Sequence, residues 1–239
     1  MENFRKVKKN IKEEKELNMS NIAIIPLGGK GVRMGSDIPK QFIKVKGKPL
    51  YIYTLLKFEK SDDIDKIILA YPRGYKKMIL DDCKNYNIKK IDFLTYGGVT
   101  QLDSIFNCLK NYNFNNNDKI IIHVGNRPNV TTNLISKSLT MYDELGPLST
   151  TVPEIEVLVN TNDKTVISRN NIIRLQTPQV YMYNDLKDII LNYKDYIYSA
   201  GTMCDLFLQL NRKVSFIEGE LLNFKITYPD DIKLFEKMV

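Results

Sequence analysis

Gly28, Gly29 and Gly31 come directly after the apolar run 22–27, and Arg33 and Lys40 follow within a dozen residues. The whole stretch reads NIAIIPLGGKGVRMGSDIPKQF, residues 21–42. A buried strand that breaks into a glycine-rich turn lets backbone amides approach a polyphosphate, because no Cβ stands in the way. Two nearby cations are placed to neutralise that polyphosphate. Leu27, Gly28, Gly29 and Gly31 are therefore candidate nucleotide-binding residues, and Arg33 and Lys40 are candidate catalytic cations. The spacing excludes two other phosphate loops. From Gly29 the pattern is G-x-G-x-x-M, which lacks the third glycine of the dinucleotide fingerprint, and this argues against a nicotinamide-dependent oxidoreductase. No Gly-Lys pair is followed by Ser or Thr, as a Walker-type loop requires.

Composition narrows the partners. The chain has 239 residues, 43% of them hydrophobic, enough for one large α/β domain with a real core. A net charge of +7 points to an anionic partner. The basic residues are scattered and form no nucleic-acid module, so small phosphorylated substrates are expected rather than nucleic acid. Cys83, Cys108 and Cys204 are widely separated, with neither metal spacing nor a disulfide framework, which suits a reducing compartment. No apolar run is long enough to span a membrane, and residues 1–18 lack the apolar core of a signal peptide. The expectation is a cytoplasmic protein with a charged tail over residues 1–18 and one domain over 19–239.

The elements that must position the glycine turn alternate regularly. KPLYIYTLLKF has helical spacing, DIDKIILAYP reads as a strand, YKKMILDDCKNYN as a helix, and KIDFLTYGG as a strand ending at Gly97 and Gly98. TQLDSIFNCLKNY is helical, with Ile105, Cys108, Leu109 and Tyr112 on one core face. DKIIIHVGNRP is a fourth strand, and STTVPEIEVLVNTNDKTVISRNNIIRL reads as two β runs around a polar turn, a protruding arm at about 148–175. Helices near 184–194 and 200–210, a strand at KVSFIEG and a helix at PDDIKLFEKMV close the chain. This rhythm predicts a Rossmann-like, mostly parallel sheet with helices on both faces. Ligands of such sheets sit at the carboxyl ends of the strands. That rule gathers residues 28–40, 97–104 and 124–127 at one edge.

Six short motifs occur in one order: PLGGKGVRM, PKQF, GG…DS, H…RP, SRN…QTPQVY and NFKIT…DD. In that order they resemble the cytidylyltransferases that activate methylerythritol phosphate or ribitol phosphate. The resemblance covers nearly all of the chain from Ile22 onwards. It implies a nucleotide-diphospho-sugar transferase type of fold, a homodimer formed through the β-arm, CTP and a phosphorylated polyol as substrates, and Mg²⁺ or another divalent cation. By the same resemblance Arg33 and Lys40 hold the triphosphate, and Lys225 reaches the reacting phosphate. Gly97, Gly98 and Ser104 recognise the cytosine. Arg127 and Thr177 belong to the acceptor side, and Arg169 reaches across the dimer interface to the acceptor's phosphate. His123, the only histidine, reads as structural.

The chain departs from the family pattern mostly on the acceptor side. Val124 stands where an acid usually follows the histidine, Val157 where the arm carries a threonine, Met203 where an aspartate follows threonine, and Gln101 where an arginine follows the Gly-Gly pair. Two readings follow. The acceptor is ribitol 5-phosphate or a similar alditol phosphate rather than 2-C-methyl-D-erythritol 4-phosphate, or the chain is a nucleotide-binding homologue with impaired turnover.

Overall fold

The computed structural model describes residues 19–28, 38–193, 196 and 198–239. The expected tail at 1–18 lies outside the described residues. In chain order the elements are β1 (Asn21–Pro26), β2 (Lys44–Val45), β3 (Lys48–Pro49), α1 (Leu50–Lys60), β4 (Lys66–Tyr71) and α2 (Lys76–Asn85). Next come β5 (Ile91–Tyr96), α3 (Gln101–Asn111), β6 (Lys119–Ile122), α4 (Thr132–Leu145) and β7 (Leu148–Pro153). The chain ends with β8 (Leu158–Val159), β9 (Val166–Ile167), β10 (Ile173–Met182), α5 (Tyr183–Asn192), α6 (Met203–Gln209), β11 (Ser215–Glu218) and α7 (Pro229–Glu236).

Seven strands form one sheet in the order β11-β7-β10-β6-β1-β4-β5. β1 pairs in parallel with both β4 and β6, β4 with β5, and β11 with β7. Only β10 runs against its neighbours. The chain moves outwards from β1 to β5 and then returns to place β6 on the other side of β1. That reversal opens a crevice at the carboxyl ends of the central strands.

The central strands are apolar on both faces, as a helix-covered parallel sheet requires. Ala23, Ile25, Ile67, Leu69 and Ile121 pack under α1, α2 and α4, with Tyr51, Phe58, Ile79 and Ile135 among the helix residues that meet them. Ile22, Ile24, Ile68, Ile120 and Ile122 pack under α3, α5 and α6, against Ile105, Phe106, Ile189 and Leu206. The residues alternate between the two sets along each strand, following the two-residue period of the pleat.

Two features differ from the sequence expectations. Helix α4 occupies a stretch to which no element was assigned. Thr131 caps it by accepting the Leu134 N–H at 3.0 Å, and Gly146, at φ 74°, ends it. The arm is shorter than 148–175: β7 is a buried strand of the main sheet, and β10 begins at Ile173, so residues 154–172 form the projection. The run 223–227 lies outside the sheet.

Candidate active site at the carboxyl edge of the sheet

The first wall of the site is a pair of glycine turns. Leu27 continues β1 by donating its N–H to Ala70 O at 2.7 Å, and Gly97 continues β5 by donating to Tyr71 O at 2.8 Å. Gly28 and Gly97 both face the hydroxyl of Ser104, and a Cβ on either would lie 3.2 Å from it. That hydroxyl accepts the Gly98 N–H at 3.0 Å and donates to Thr100 O at 2.9 Å. Ser104 is fully buried, so its bonds shape the turns from within. Thr100 caps α3 by accepting the Asp103 N–H, and Asp103 accepts the Val99 N–H at 2.8 Å. A side chain at Gly98 would collide with that carboxylate, its Cβ 2.0 Å from Oδ2.

The 3₁₀ turn Lys40–Phe42 backs this wall. Gln41 Nε2 donates to Gly28 O, and Phe42 packs on Tyr51 and Tyr75. Lys40 itself is 8% exposed. Gly29, Gly31 and Arg33 lie outside the described residues.

The second wall is built by the segment after β6. Gly125 lets the β6 loop close onto the β1 turn, where a Cβ would lie 2.4 Å from Leu27 Cδ2. His123 is fully buried. Its Nε2 lies 3.1 Å from Arg127 O, a pure acceptor, so Nε2 carries the proton. Nδ1 then accepts from the Thr177 hydroxyl at 3.0 Å. Burial pushes the pKa of this histidine down to about 3, so it is neutral at physiological pH and works as a strut. Thr177, assigned to the acceptor side by resemblance, is itself buried and spends its hydroxyl on His123. Val124 is also buried and offers no lone pair.

Asn126 is the residue that sequence reasoning missed. Its side-chain amide donates to Ile226 O at 2.8 Å, and its backbone carbonyl oxygen accepts the Ile226 N–H at 2.9 Å. The 223–227 run is thereby pinned to the β6 loop, which brings Lys225 to the site from 100 residues away. Asn223 adds a bond to Thr177 O at 2.8 Å. Arg127 donates to Asn223 O at 2.6 Å and to Leu175 O at 3.5 Å. Burial, helped by the charge of Arg174, lowers its pKa to about 10, and it remains a cation.

Between these residues lies a cleft of about 490 Å³ lined by Arg127, Val152, Arg174, Leu175, Gln176, Leu221, Phe224 and Lys225. Three cations and no carboxylate line it. The site thus presents glycine backbone free of side chains at Gly28, Gly97 and Gly98 on one side and a positive cleft on the other. Such an arrangement aligns two phosphorylated substrates and neutralises the charge between them.

The chain matches the family model of IspD, 2-C-methyl-D-erythritol 4-phosphate cytidylyltransferase, over residues 21–239. The chain belongs to the IspD family. A bifunctional enzyme IspD/IspF of Pelagibacter ubique is 33% identical over 218 residues, covering 90% of this chain and 56% of that protein. The chain therefore spans little more than half of that relative. A ribitol-5-phosphate cytidylyltransferase of Lacticaseibacillus paracasei is 32% identical over 226 residues, covering 90% of this chain and 95% of that one. Among solved structures, the 4-diphosphocytidyl-2C-methyl-D-erythritol synthase of Anaerococcus prevotii superposes with a TM-score of 0.75 at 26% identity, over 92% of this chain and 96% of that one. Within the IspD family this chain is a cytidylyltransferase acting on a phosphorylated sugar alcohol.

The departure at Met203 takes a structural role. Thr202 caps α6 by accepting the Asp205 N–H at 3.1 Å, and Met203 is buried in the core. Among the described residues no group of three His, Cys, Asp or Glu side chains could hold a metal ion. What the described residues offer to phosphates is the cationic lining of Arg127, Arg174 and Lys225. None of their helices is long and apolar enough to cross a membrane.

Proposed function

We propose that this chain transfers CMP from CTP to ribitol 5-phosphate or a similar alditol phosphate, releasing pyrophosphate. A phosphate oxygen of the acceptor attacks the α-phosphorus of CTP. The bond from that phosphorus to the bridging oxygen of the β-phosphate breaks, and the pair of electrons leaves with pyrophosphate. The acceptor needs no general base, because the second pKa of a phosphomonoester is about 6. Lys40, Lys225 and Arg33 stabilise the charge that builds on the α-phosphate. Gly28, Gly29, Gly31, Gly97 and Gly98 receive the nucleotide, with Ser104 fixing the turns. Arg127 grips the acceptor side. A divalent cation, Mg²⁺ in this reading, accompanies CTP, and the compartment is the cytoplasm.

The observation that supports this reading is the positive, carboxylate-free cleft that Asn126 joins to the glycine edge by holding Lys225. The acceptor choice follows from Val124 and Val157, which remove two polar partners on the acceptor side. 2-C-Methyl-D-erythritol 4-phosphate is the second reading, favoured by the family match over 21–239. Arm residues Ile155, Val157, Val159, Val166 and Ile167 are exposed, which supports a homodimer through the arm. Arg169 donates to Ile155 O at 2.6 Å on that arm and would meet the acceptor of the second protomer.

The test is pyrophosphate release from CTP with each acceptor. The expected result is turnover with CTP over other nucleoside triphosphates, and a kcat/KM for ribitol 5-phosphate above that for the methylerythritol compound. Turnover of the methylerythritol compound alone would move the chain to the second reading. Silence with both would overturn the assignment.

A further inference from the structure

Arg174 belongs to none of the six motifs, yet it stands in the cleft. Its aim is set by Glu154. That carboxylate is fixed at the root of the arm, where one oxygen accepts the N–H groups of Ile155 at 2.8 Å and Glu156 at 3.0 Å. The other oxygen lies 3.5 Å from Arg174 Nε. A guanidinium has five N–H donors, and this ion pair occupies only the Nε side. Among the described residues Glu154 is the only charged partner of Arg174. The side chain remains half exposed, with its outer edge beside the cleft.

Arg127 faces it without a carboxylate. Its Nη atoms are bound to carbonyl oxygens, and its buried Nε has no partner among the described residues. Arg127 and Arg174 bring two guanidinium groups to one space, and although Glu154 offsets part of the charge on Arg174, an entering anion would relieve their mutual repulsion. The rest of the lining is apolar (Val152, Leu175, Leu221 and Phe224), apart from Gln176, whose amide is tied to the Glu220 backbone in both directions. Apolar walls keep the local dielectric low and strengthen whatever charge contact forms there.

The location separates this space from the nucleotide. Arg174 sits on β10, two strands from β1, which is about 10 Å at ordinary strand spacing. We propose that Arg174, oriented by Glu154, is a further specificity-determining residue that grips the phosphate of the polyol phosphate together with Arg127. The proposal rests on the alditol phosphate reading and adds a grip supplied by the same protomer, beside the one expected from Arg169 of a second.

The test is steady-state kinetics of Arg174→Gln and Arg174→Lys, with acceptor and CTP varied separately. Loss of a charge-assisted hydrogen bond predicts an acceptor KM raised about tenfold to a hundredfold in Arg174→Gln, with kcat and the KM for CTP within about threefold. Arg174→Lys keeps the charge without the fork and recovers only part of the loss. An unchanged acceptor KM, or a raised KM for CTP instead, overturns the proposal. Calorimetry of ribitol 5-phosphate against the enzyme loaded with a methylene-bridged CTP analogue separates this from the function itself. Binding that Arg174→Gln weakens supports the subsite even where no pyrophosphate is released. Equal binding by both proteins, or none by the wild type, overturns it.

Discussion

Single residues at this site divide into those that meet a ligand and those that hold the first group in place. His123 belongs to the second kind, and its chemistry makes that testable. Its pKa falls from the ordinary 6.5 to about 3 because burial disfavours the charged ring. The folded ring stays neutral, while the unfolded chain takes up a proton as the pH drops below about 6.5. The unfolded state then binds more protons, so stability decreases with falling pH across the window from 6.5 to about 3. Between pH 6.5 and 5 the loss is about 2 kcal/mol, read as a lower urea midpoint. Because His123 is the only histidine, His123→Asn should flatten that slope. An equal slope in both proteins would show that the ring is not the titrating group. Ser104 and Thr177 follow the same pattern: the motifs single them out, but both hydroxyls are spent inside the protein.

At the scale of elements, the strand-helix rhythm was legible because both periods are strong in this sequence. What escaped was local chemistry that tertiary contacts override. The strand β10, to which no element was assigned beyond Leu175, carries Pro178 where the β10–β7 register shifts between Leu175 and Gln179, the kind of irregularity at which a strand tolerates a missing N–H. Lys225 was singled out by its motif, but its link to the β6 loop was not, because Asn126 and Ile226 meet only through the fold. The arm offers the prediction proper to this scale. Val159, Val166 and Ile167 belong to a two-stranded ribbon, β8–β9, outside the main sheet, and Ile155 and Val157 lead into it. Two-stranded ribbons are marginal alone and gain from a partner. Light scattering should show a dimer for the wild type and a monomer for the double variant Val157→Asp, Val166→Asp. A wild-type monomer at working concentration would remove the role proposed for Arg169.

The whole molecule is a sheet whose reversal at β1 opens one edge and whose chain returns to that edge from distant parts of the sequence. Glycine backbone after β1 and β5, the loop after β6 and the run before α7 meet there. The central claim is that Lys225, carried in by Asn126, stabilises the reacting phosphate. The direct measurement is pyrophosphate release from CTP and ribitol 5-phosphate by Lys225→Ala, with CTP binding followed by calorimetry. Loss of a transition-state contact predicts a kcat about a hundredfold or more below wild type, with CTP affinity within a few-fold. A kcat within about threefold of wild type would contradict the claim.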